Sequence, residues 1–277
     1  MLTARRRRKR RIPILMYHRV AKQQIPSFES DTVTTRLFAA QMRWLAAAGY
    51  STVGLDALID SRINGSRLPS RSVVITFDDG YQDCIESAVP IMQSHRFTAT
   101  FFLVAGLVGG RSSWLLRSRG YDLPLFDWTA ARQLVAEGFT CGAHGMTHAH
   151  LTKLDTPACR LELAESKRVL EHHLGREVSN MAYPYGSYSE KVKELAREVG
   201  YRSACSIQFG LSAEEDDPFA LHRVPVLGQD TFLDFVFRLH TALASRATMV
   251  DVMQRNLSPR AYNALRWTWR QVRGSAR

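Results

Sequence analysis

Val73-Val74-Ile75-Thr76-Phe77-Asp78-Asp79-Gly80 is an apolar run of β-branched and aromatic residues that stops at two adjacent carboxylates and a glycine. Such a run, bounded by glycine, reads as a buried strand. Folding gives no reason to place two like charges together where desolvation opposes ionising both, and a cation beside them removes that cost. Asp-Asp-Gly alone is also common as a turn or helix N-cap, so a cation needs further ligands elsewhere in the chain.

Outward from this strand the pattern alternates. Residues 12–20 read as a strand ending in Tyr17-His18, and further strand-like runs cover 98–104, 139–143, 181–183 and 202–205. Helical spacing covers 38–48, with Phe38, Met42 and Leu45 on one face, then 88–94, 129–137, 157–173 and 189–199, several of them stopped by glycine. Strands alternating with helices argue for parallel strands in an α/β barrel. With 277 residues and 45% hydrophobic content the chain fits one sizeable domain, without repeats or a low-complexity linker. Cys84, Cys141, Cys159 and Cys205 show no paired spacing, so they read as buried thiols and not as a disulfide framework or zinc knuckle.

The additional ligands have a candidate in Cys141-Gly142-Ala143-His144-Gly145-Met146-Thr147-His148, which follows the apolar run Gly138-Phe139-Thr140. A spacing of four lets both imidazoles face one point from a compact loop or a single turn. One carboxylate with two imidazoles makes a three-ligand centre with open positions, the pattern of a catalytic metal and not of a closed structural one. The second aspartate is then free to act as a base.

These residues resemble the polysaccharide deacetylases that carry the NodB-homology domain, carbohydrate esterase family 4. Thr76-Phe77-Asp78-Asp79-Gly80 is similar to the family's first motif, and the resemblance makes Asp78 the catalytic base and Asp79 a metal ligand. His144-Gly145-Met146-Thr147-His148 resembles the second motif, whose histidines complete the metal site, with Gly145 where Ser or Thr is usual. Ala182-Tyr183-Pro184-Tyr185-Gly186 resembles the third, which forms a groove wall and offers the oxyanion a backbone amide, here that of Tyr185. Trp128, in Phe126-Asp127-Trp128-Thr129, resembles the aromatic position of the fourth, which helps to line the acetyl pocket. The resemblance implies a distorted, incomplete (β/α) barrel over 12–226 and one divalent metal, zinc first, with Fe, Co, Ni and Mn compatible.

Two positions depart from the family pattern. Ala182 stands where an Arg commonly tethers the base, a loss also shown by some subfamilies acting on poly-N-acetylglucosamine. The Leu-x-His that supplies the general acid has only a loose echo in Leu221-His222-Arg223-Val224-Pro225. The opening strand instead resembles that of circularly permuted members, which makes His18 the acid and leaves His222 the alternative.

The charge lies at the ends. The formal net charge is +11, and residues 5–11 and 255–277 hold 13 basic residues and no acidic ones, which leaves 12–254 at −2. This divides the chain into a basic arm, 1–11, the deacetylase-like domain, 12–226, and a basic, aromatic helical extension, 227–277. The apolar stretch after the arginine block is too short and too soon polar for an export signal or a membrane span. The expectation is therefore a cytoplasmic protein without a transmembrane helix, its ends either solvated or in peripheral contact with the anionic inner face of the membrane. No helix-turn-helix, zinc finger or stacking motif accompanies the basic ends, so no specific nucleic acid is expected.

By resemblance the function is hydrolysis of N-acetyl groups on a glycan or a lipid- or nucleotide-linked sugar. The alternatives are acetyl-ester hydrolysis at the same site and a non-catalytic barrel that binds glycans or polyanions. Gly145 argues against a zincin-type protease, which requires Glu directly after the first histidine.

Overall fold

The computed structural model describes residues 11–240. Seven parallel strands form the centre: β1 (Ile14–Tyr17), β2 (Ser72–Phe77), β3 (Thr100–Leu103), β4 (Thr140–Ala143), β5 (Asn180–Ala182), β6 (Ser203–Phe209) and β7 (Leu221–Pro225). They run β1-β7-β6-β5-β4-β3-β2, and β2 pairs again with β1, Ile14 opposite Val74 through Tyr17 opposite Phe77, so the sheet closes. A closed ring of seven strands, one short of the full eight of a (β/α) barrel, is the incomplete barrel that the family resemblance implied. Strand β1 lies between β2, which leads to Asp78-Asp79, and β7, the last described strand, which is the order a permuted chain requires.

Because all seven strands are parallel, their C-terminal ends share one rim, and the loops that leave them converge there. His18 follows β1, Asp78 and Asp79 follow β2, His144 follows β4, and Tyr183-Pro184-Tyr185 follows β5.

Eight helices are described: α1 (Thr35–Ala47), α2 (Leu55–Asn64), α3 (Gln82–Ser94), α4 (Ser113–Arg119), α5 (Trp128–Ala136), α6 (Thr156–Leu174), α7 (Glu190–Val199) and α8 (Phe232–His240). Their starts follow side-chain capping: Asp127, Asp155 and Ser189 each accept a hydrogen bond from the backbone amide three residues on, relieving an amide left unpaired by the first turn. Helix α3 begins six residues before the expected 88, because Pro90 faces solvent and the carbonyl it leaves unpaired can be met by water. Helices α2 and α4 carried no clear periodic signal in the sequence.

Phe38, Met42 and Leu45 of α1 are fully buried, Phe38 edge-on to Tyr17 and Phe77, and the Phe77 ring stacks on Phe101 at 4.8 Å. A second core fills the barrel itself: Ile14, Val74, Phe102, Ala182, Cys205 and Leu221 meet Leu55, Leu58 and Ile59 of α2, which plugs the N-terminal end. Gly142 makes room for this filling, since a Cβ there would lie 2.6 Å from the Phe102 ring and 2.8 Å from the Asn180 carbonyl. The four cysteines are unpaired, and three of them are buried.

Helix α8, the described part of the expected 227–277 extension, packs Phe232 and Phe235 edge-on against Trp44 of α1. Of the expected arm at 1–11 only Arg11 is described, in a short strand opposite Ala213, and the aromatic, arginine-rich segment at 261–273 lies outside the described residues. No helix among the described residues is long and apolar enough to cross a membrane.

Candidate metal centre

Asp79, His144 and His148 come together at the rim, each buried and each offering one donor atom, all within 4.8 Å of one another. Asp79 Oδ1 lies 3.4 Å from His144 Nε2 and 3.2 Å from His148 Nε2, without the alignment of a hydrogen bond. Tetrahedral bonds of about 2.0–2.2 Å separate ligand atoms by roughly 3.3–3.6 Å, so the spacing suits a single small cation. Asp79 Oδ1 and His148 Nδ1 are buried without a hydrogen-bond partner among the described residues, a costly state that a ligated cation would relieve at the carboxylate. The donor set therefore fits a divalent metal.

Backbone strain marks the same place. Five non-glycine residues have positive φ among the described residues, and three of them are Asp79 (78°), His148 (60°) and Tyr185 (58°). Left-handed backbone at such residues persists only where surrounding contacts impose it, and it gathers at functional sites.

The imidazole of His144 is fixed by its far side. Its Nδ1 sits 2.9 Å from the Ala182 carbonyl, which can only accept, so Nδ1 carries the proton and Nε2 presents its lone pair towards Asp79. Burial alone pushes the Asp79 carboxyl up, but contact with the two imidazoles, with His18 also near, draws it well below the ordinary carboxylate range. Burial lowers His148 below the usual histidine value, against the pull of Asp79, which favours the neutral form that a metal requires.

Asp78 has a different environment. Both of its oxygens accept hydrogen bonds from Arg223, Nη1 and Nη2 each at 2.7 Å, in a fork buried on both sides. Arg223 is 0% exposed. It also donates from Nε to the Ser206 carbonyl at 2.8 Å and from Nη1 to the Thr76 hydroxyl at 3.2 Å. Burial raises the Asp78 carboxyl, but the Arg223 guanidinium, with His144 and His18, outweighs this and holds it below the ordinary value. Arg223 thus occupies the tethering place that Ala182 leaves open, and it arrives from β7, a different strand.

Strand alternation separates Arg223 from its neighbour. His222 points away from the barrel interior, with Nδ1 3.1 Å from Asp216 Oδ2 and the ring against Gly210. His18, half-buried at the end of β1, is close enough to lower both Asp78 and Asp79, and its ring makes no hydrogen bond among the described residues.

Aromatic rings wall the cluster. Trp114 of α4 stacks on His148 at 4.4 Å, and Tyr185, 43% exposed, meets His148 edge-on at 4.4 Å and stacks on His150 at 3.8 Å. Among the described residues no ring or hydrogen-bond contact joins Trp128 to the cluster. It starts α5, whose face packs on α6, and its ring stacks on His173 at 4.0 Å. Trp114 was absent from the sequence-based reading, and Arg223 stood in it only within the Leu221–Pro225 stretch, with no role given. Nothing near Trp114 announces a site, and Arg223 is 145 residues from Asp78.

A family model described as polysaccharide deacetylase matches residues 65–204, just over half of the chain. The chain belongs to the polysaccharide deacetylase family. YxkH of Bacillus subtilis (strain 168) is 27% identical over 216 residues, covering 78% of this chain and 71% of that one. The poly-beta-1,6-N-acetyl-D-glucosamine N-deacetylase of Staphylococcus epidermidis is 25% identical over 239 residues, 79% of each chain. The deacetylase PplD of Streptococcus pyogenes, solved in complex with acetate, shares the fold at a TM-score of 0.73 and 20% identity, over 83% of this chain and 99% of that one. The polysaccharide deacetylase match holds Asp78, Asp79, His144 and His148 but ends before Arg223 and begins after His18.

Proposed function

We propose that this protein removes N-acetyl groups from an N-acetylated glycan, using one divalent metal on Asp79, His144 and His148, with zinc the first choice. The observation that carries this reading is the convergence of those three donors beside a separately tethered carboxylate, in a chain of the deacetylase family. The similarity to enzymes named for poly-beta-1,6-N-acetyl-D-glucosamine supports a polymer of that kind as substrate.

A divalent cation held by Asp79, His144 and His148 would supply Lewis-acid polarisation of an amide carbonyl and would acidify a water molecule. Asp78, oriented by the Arg223 fork, accepts a proton from water as its oxygen bonds to the carbonyl carbon. The backbone amide of Tyr185, by family resemblance, faces the developing oxyanion. His18 donates a proton to the amine nitrogen as the carbon–nitrogen bond breaks, releasing acetate and leaving the free amine on the sugar. The exposed ring of Tyr185 offers a face for a pyranose. The basic ends, through charge alone, would favour anionic membrane surfaces.

The test is acetate release from N-acetylglucosamine oligomers and from an activated acetyl ester, with added zinc and again after chelation. Metal-dependent release from the oligomers is expected. Release from the ester alone would transfer the reading to acetyl-ester hydrolysis, and absence of metal binding would leave a binding-only barrel. In the same assay His18→Ala should slow the amide far more than the ester, whose leaving group needs no proton. Removal of general acid catalysis corresponds to about 10²–10⁴-fold on the amide. Equal losses on both substrates would mean a structural role for His18.

A further inference from the structure

We propose that Glu162 is a positioning residue for the metal site, its carboxylate holding the loop between His144 and His148 in the shape that turns both imidazoles towards Asp79. This rests on the metal reading of that cluster. The loop Gly145-Met146-Thr147 belongs to no helix or strand, and it joins two buried ligand candidates through left-handed backbone, with φ of 74° at Gly145 and a strained 60° at His148. Such a path needs hydrogen bonds from outside to fix it.

Glu162 supplies them from α6. Its Oε2 accepts from the backbone amides of Met146 at 2.8 Å and Thr147 at 3.1 Å, and its Oε1 accepts from the Thr147 hydroxyl at 2.7 Å. Both carboxylate oxygens are thereby engaged by the loop, which leaves Glu162 a support and not a ligand. The helix that presents it is anchored by its neighbours, Leu163 at 0% and Cys159 at 2% exposure.

The opposite edge of the loop is also held, since the carbonyls of Gly145 and Met146 accept from the amides of Ala105 and Gly106 at 3.0 and 2.9 Å. Only Glu162 serves the amide edge among the described residues. Residue 145 has no side chain to contribute an acceptor of its own, and a Cβ there would lie 3.3 Å from Glu162 Oε2 and 3.4 Å from Pro184 Cγ. The glycine therefore admits the carboxylate that does the work a local hydroxyl could otherwise share.

The experiment is a zinc titration of the full chain against a competing chelator, paired with the visible spectrum of the cobalt-loaded protein. Glu162→Ala should weaken zinc binding by about 10–100-fold and alter the cobalt spectrum, as loss of an outer support of metal ligands does. Glu162→Gln can turn its carbonyl to the two amides and its NH₂ to the Thr147 hydroxyl oxygen, and should return affinity to within about threefold of wild type with the wild-type spectrum. If Glu162→Ala does not fold, Thr147→Val deletes one of the three bonds at an exposed position and should weaken zinc binding several-fold. Wild-type affinity in the alanine or valine variant, or equal weakening in the alanine and glutamine variants, overturns the role of Glu162. A wild-type protein that binds no zinc overturns the metal reading itself.

Discussion

Asp78→Asn is expected to lower kcat for amide hydrolysis by about 10²–10⁴-fold while leaving zinc affinity close to that of the wild type. The geometry separates the two aspartates although they are adjacent. Asp79 touches both imidazoles, at 3.4 and 3.2 Å, and Asp78 touches the Arg223 guanidinium with both oxygens. An amide at 78 keeps the shape and accepts one of the two Arg223 hydrogen bonds, but it cannot take a proton from water at neutral pH. Kinetics and a metal titration on the same preparation decide the matter. Full activity would remove Asp78 from the role of base, and loss of zinc would make it a ligand.

Arg223→Met is expected to destabilise the fold by about 3–5 kcal/mol, because it leaves the Asp78 carboxylate buried and uncompensated. The pair is exposed by 0% and 2% on its two sides, so solvent screening cannot reduce its importance as it does for surface ion pairs. Adding Asp78→Asn to Arg223→Met removes the orphaned charge, and most of the lost stability should return, since an apolar or neutral replacement of both partners is often near neutral. Urea denaturation of the four proteins in this cycle measures the coupling. A cost below about 1 kcal/mol for Arg223→Met would mean that the fork is not holding the base. These two variants separate turnover from stability: in the proposed mechanism the Asp78 carboxylate serves the chemistry, while the Arg223 fork keeps it ionised and aimed.

Legibility followed the range of the physical signal. The strand before Asp78 announced itself because seven-strand closure buries every residue of Ser72–Phe77, so no charged side chain interrupts it. His144 and His148 were visible because they share one short loop and their spacing is local. The capped helices were visible for the same reason. Trp128 carried a local resemblance, yet its ring lies on His173, because packing of α5 on α6 and not the neighbouring sequence decides where that side chain goes.

The sequence by itself determined the alternating strands and helices, the carboxylate pair at a strand end and the two histidines that could join it, since each depends on residues a few positions apart. Only the tertiary structure decided that Arg223 tethers Asp78, that Trp114 covers His148 and that Glu162 supports the histidine loop. Those contacts arise where closure of the barrel and docking of helices bring distant segments into register, and no local pattern encodes a register between strands 145 residues apart.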